Sequence, residues 1–94
     1  MSRNRYESAL QQALELGATK DEASTWAEFV EEAKVEPELR DGLTVTQIRI
    51  LLSIRAAEMS EAPRRYGKAM SPKLVANIWA YCHLQSVLLK RKRP

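Results

Sequence analysis

Helix punctuation is the feature of this chain that most narrows what it can fold into. Thr19 and Glu22 stand three residues apart ahead of an apolar-periodic run, and Thr44 and Gln47 repeat the arrangement. In such a capping box the hydroxyl accepts from the N–H three residues on, while the longer side chain reaches back to the cap's own N–H. Ser71-Pro72 marks a third start. Serine caps well there, and proline at the first helical position lacks only an N–H that has no helical partner anyway. Stops are as plain. Gly17 stands where a left-handed cap is needed, and Pro37 forces Glu36 out of the helical region. Strand-like alternation is absent. The expectation is an all-α compact bundle of four helices at about residues 4–16, 20–35, 44–59 and 71–90, with a short turn at 37–41. Ninety-four residues make a single domain, with 90–94 read as a basic, frayed tail.

The apolar stripes follow helical spacing. Tyr6, Leu10, Ala13 and Leu14 define the first, and Ala23, Trp26, Ala27, Val30 and Ala33 the second, with Phe29 beside it. The third helix, Val45 to Met59, is apolar around most of its girth. The last carries Leu74, Val75, Ile78, Trp79, Cys82, Val87, Leu88 and Leu89. This is more apolar girth than a small monomer easily covers, which predicts a homodimer through one or both of these helices. Between them, residues 60–70 read as a loop around Pro63.

Charge is distributed unevenly. Through Glu61 there are seven cations against twelve carboxylates, a balance of −5; from Ala62 onward there are eight cations and no acid, a balance of +8. Such asymmetry points to a polyanionic partner for the basic part. Its candidate nucleic-acid contacts are Arg64, Arg65, Tyr66 and Lys68 in the loop, Lys73 and Asn77 at the start of the last helix, and Lys90, Arg91, Lys92 and Arg93 in the tail. Phosphate contacts would set affinity, with at most a few base contacts, for which Lys73 and Asn77 are the candidates if the last helix docks on DNA. Arg3 and Arg5 would add a basic arm.

Other chemistries find little support. Cys82 and His83 are the sole members of their types and project in different directions on a helix, so they form neither a zinc site nor a catalytic pair. Cys82 is expected in the core and His83 half-exposed. Glu28 with Glu31 or Glu32 is expected on an open face without the desolvation that tunes a general acid or base. No metal, cofactor or enzymatic activity is predicted. A lone cysteine suits a reducing compartment, and no run is long enough to span a membrane, so a cytoplasmic protein is expected.

Leu43-Thr44-Val45-Thr46-Gln47-Ile48-Arg49-Ile50-Leu51-Leu52 resembles the helix that opens many winged-helix regulators. The likeness covers ten residues and consists of a capping box with apolar spacing; nothing after it supplies a β-wing, and no function is carried over from it. The expected function is a small DNA-binding regulator or accessory protein, acting on DNA rather than RNA and as a dimer. The alternative is a protein-interaction module, an inhibitor or adaptor working through the acidic second helix or an exposed apolar helix face.

Overall fold

Each of the long helices begins at a side chain that closes its first turn. Asn4 Oδ1 accepts from the Glu7 N–H at 2.8 Å. Thr19 and Glu22 exchange bonds of 3.1 and 2.9 Å, and Thr44 and Gln47 do the same at 3.1 and 2.9 Å. Ser71 Oγ accepts more loosely from Leu74 N at 3.4 Å. The computed structural model describes residues 4–91, and places after these caps α1 (Arg5–Glu15), α2 (Lys20–Ala33), α4 (Val45–Tyr66) and α5 (Pro72–Arg91). The turn expected after Pro37 is one short helix, α3 (Pro37–Arg40). Among the described residues there is no strand, and the all-α bundle is as expected.

Two boundaries differ from expectation. α2 closes on Lys34 in the left-handed conformation (φ 54°), whose N–H donates to the Val30 carbonyl. A residue with a Cβ is disfavoured there by about 1–2 kcal/mol, so the termination is imposed by the packing beyond it. More consequentially, α4 does not stop at Met59 but runs through Pro63 to Tyr66. The proline removes one helical N–H, yet buried Ala62 holds the turn on the core side. Arg64 and Arg65 grip Glu61 and Glu58 across it at 3.5 and 3.2 Å. The Gly67 N–H then donates to the Pro63 carbonyl. Arg64, Arg65 and Tyr66 therefore lie on a helix, and only 67–71 connect α4 to α5.

Packing makes two helical hairpins. In the first, Ala9 and Ala13 of α1 meet Ala23, Ala27 and Val30 of α2, small residues that let the axes approach closely. In the second, the longer α4 and α5 lie against each other. The hairpins meet over one core, where Trp26 and Phe29 pack beside Ile48, Leu51, Ala80 and Leu84, all essentially inaccessible. The Trp26 and Phe29 ring centroids are 5.6 Å apart and tilted by 38°, within the favourable range for an aromatic pair.

Buried polar groups around this core are satisfied. Gln12 accepts from Trp26 Nε1 at 3.2 Å and donates to the Arg40 carbonyl at 2.6 Å, tying α1, α2 and α3 together. The Arg40 guanidinium, 5% exposed, donates to the Val35 carbonyl and Ser8 Oγ. Burial pulls its pKa down. Gly42 has a φ of +81°, the left-handed region that favours glycine, and a Cβ there would displace the end of the Arg91 side chain, 2.8 Å away at Nη1. That guanidinium reaches back from the end of α5 to the Asp41 and Leu39 carbonyls.

Candidate functional site

The basic segment and the acidic first part of the chain meet in space. Arg55 of α4 sits one turn beyond Leu51 and is 4% exposed. Its Nη2 donates to Glu28 Oε1 and Glu32 Oε1, both at 2.9 Å, and its Nε donates to Asn77 Oδ1 at 2.7 Å. Asn77 Nδ2 donates in turn to Glu32 Oε1 at 2.9 Å. Lys73 Nζ completes the cluster at 3.3 Å from Glu28 and 3.4 Å from Glu32. Three helices thus supply one closed polar network at the junction of the hairpins.

The network reassigns several predicted residues. Asn77, expected to face a base edge, is 7% exposed and joins α2 to α4 inside the fold. Lys73 is held by two carboxylates of its own chain, and the Glu28 carboxylate beside it raises its ammonium pKa. Arg64 and Arg65, with Tyr66, are not on a flexible loop, and both arginines are paired. Around this part of the surface Arg55, Arg64, Arg65 and Lys73 face Glu28, Glu32, Glu58 and Glu61, four charges of each sign. Of the eight cations after Ala62, Arg64, Arg65 and Lys73 are thus paired within the fold. Lys68, Lys90 and Arg91 have no carboxylate within salt-bridge reach among the described residues, and Arg5 pairs with Glu36 at 3.3 Å. Arg3, Lys92 and Arg93 lie outside the described residues.

Glu28 is held below the ordinary carboxylate value of 4.5 chiefly because Arg55 donates to it, with Lys73 adding to the effect and burial opposing it. A folded-state pKa below the unfolded one contributes stability above the unfolded value, and this is lost as pH falls through the folded value. The chain should therefore lose stability on acidification below the carboxylate range. Glu28→Gln should flatten that acid slope, measured as urea midpoints at several pH values. An unchanged slope would remove Glu28 from the account.

The surface that stands out is apolar. On α5 the side facing the core carries Ala76, Ala80 and Leu84. Leu74, Ile78 and Leu89 lie on the opposite side and are 53%, 50% and 67% exposed, with Trp79 nearby at 48%. Cys82, expected in the core, is exposed one turn beyond Ile78. A stripe of apolar residues at helical spacing looks the same in sequence whichever side the core takes, and the core took Ala80 and Leu84.

Ile78 forms a ridge with a groove on each side. One groove, about 260 Å³, runs between α2 and α5, with Ala33, Leu74, Ile78, Tyr81 and Cys82 along it and Glu32 and Asn77 as its polar members. The other, about 200 Å³, lies under the α4–α5 connection, lined by Tyr66, Met70, Val75, Ile78 and Trp79. Among the described residues no cluster of three or more His, Cys, Asp or Glu is placed to hold a metal, and no helix is long and apolar enough to cross a membrane. Comparison with protein-family models, curated proteins and solved structures finds no match for the chain.

Proposed function

We propose that the chain is a protein-interaction module whose working surface is the outer side of α5. The observation that carries this reading is the exposed apolar ridge of Leu74 and Ile78, with Trp79 beside it, on the side of the helix away from the core. Contiguous exposed apolar surface on a small protein, rimmed by polar groups, marks an interaction site more often than an accident of composition. The rim supports the same view, since Arg64, Arg65 and Lys73 are closed by internal pairs and offer a polyanion less than their number suggests.

The test is the elution of the tagged chain in extract of the cells that make it, beside an Ile78→Asp chain. The parent should elute in a complex above its monomer mass and the variant as a monomer with unchanged helical circular dichroism. A parent chain eluting as monomer overturns the reading.

DNA binding stands as the second reading, favoured by Lys68, Lys90 and Arg91, together with Lys92 and Arg93 beyond the described residues. Exposed ion pairs are worth only about 0–1 kcal/mol, so phosphates can also compete for Arg64 and Arg65. Under this reading duplex binding would be tight at low salt, fall steeply as salt rises, and weaken on truncation after Leu89.

A further inference from the structure

We infer that the occupant of the α5 face is a second copy of this chain, the Ile78 ridge of each copy seated in a groove beside the other's α5; this rests on the interaction reading above. The face holds both halves of a contact. Leu74, Ile78 and Cys82 are spaced four residues apart along α5 and form a row, and the flanking grooves are mostly apolar, with Glu32 and Asn77 the polar members of the one beside α2. Two rows of this spacing interdigitate when helices cross at about −50°, the commonest helix-packing class. A face with a ridge and adjoining grooves is complementary to itself.

Charge argues for the same occupant. A two-fold contact joins the same patch on both copies, so a rim of one sign would repel its counterpart. Here Arg64, Arg65 and Lys73 are closed by Glu61, Glu58, Glu28 and Glu32 of their own chain, and only Lys68 is left over among the rim cations. A face made for an acidic or basic partner would carry uncompensated charge. The crossing also splays the two α5 ends, which separates the Lys90 and Arg91 pairs. Leu89, eleven residues from Ile78 and so roughly 16 Å along the helix, then falls outside the contact.

Sedimentation equilibrium of the purified full chain at micromolar concentration tests this. Twice the monomer mass is expected for the parent and for Leu89→Asp. Ile78→Asp should weaken association about a hundredfold or more, with unchanged helical circular dichroism. Emission from half-exposed Trp79 should shift to the blue with rising concentration in the parent, and the shift should vanish in Trp79→Phe, where buried Trp26 alone remains. A monomeric parent overturns the inference, as does an Ile78→Asp chain that still dimerises. If the purified chain is monomeric while the complex in extract persists, the second-copy proposal fails and the interaction reading survives.

Discussion

Replacing both carboxylates that face Arg55, in a Glu28→Ala, Glu32→Ala chain, is expected to cost about 3–5 kcal/mol, the range for stranding a buried charge. Either single replacement should cost roughly 1 kcal/mol, near the usual net worth of a hydrogen bond. The guanidinium is 4% exposed and cannot turn out to water without opening the junction of the hairpins. With one carboxylate left it keeps an ionic partner at 2.9 Å; with none it keeps only the Asn77 amide. The effects should therefore be strongly non-additive, and a double-mutant cycle from urea unfolding reads the coupling directly. Simple addition of the two single effects would mean that water or Asn77 already compensates the charge. Arg55→Met in the doubly substituted chain should restore much of the loss, because a buried ionic cluster often exchanges for apolar side chains at little cost.

The second large effect is predicted at Trp26. Truncation of a fully buried tryptophan costs about 3–5 kcal/mol, a large share of the roughly 5–15 kcal/mol that holds a small domain folded. Trp26→Ala should fall at the upper end. The substitution opens a cavity beside Phe29 and also strands the Gln12 oxygen that accepts from the indole N–H. Gln12 holds the Arg40 carbonyl as well, so the damage reaches α3. Trp26→Phe keeps most of the volume and loses the donor, and about 1–2 kcal/mol is expected for it. Thermal unfolding followed by circular dichroism distinguishes the two. Equal losses would show that the hydrogen bond, and not the volume, carries the effect.

The local code of the chain was legible because it is written in short range. Capping boxes, the glycine after α1 and the proline that opens α3 act within a few residues, and no tertiary contact was needed to read them. Pro63 misled for the complementary reason. A proline weighs against helix locally, but Ala62 beside it is buried against the rest of the fold, a contact that no local pattern announces.

The polar network was hidden for a different reason. Its members come from α2, α4 and α5, and no pattern in one segment announces a partner in another. A signal existed all the same. Arg55 continues the buried line of Ile48 and Leu51, and Asn77 the line of Ala80 and Leu84. A polar residue at a core position must find a partner, and the i, i+4 carboxylates Glu28 and Glu32 are suited to supply it. Counting charge along the chain hid one such pairing: the +8 of the last third counts Lys73, whose carboxylates Glu28 and Glu32 lie near it in the fold and far from it in the sequence.

The two-hairpin plan has a kinetic consequence. Most of the packing joins helices adjacent in the chain, α1 with α2 and α4 with α5. Loops that short close at little entropic cost, and topologies dominated by such local contacts fold in microseconds to milliseconds. Docking of the hairpins, where Arg55 must shed its water and find Glu28, Glu32 and Asn77 together, comes last on this route. Substitutions in the network should then speed unfolding far more than they slow folding. The polar junction acts as a latch on the finished molecule, setting how long it stays folded and leaving almost untouched how quickly it gets there.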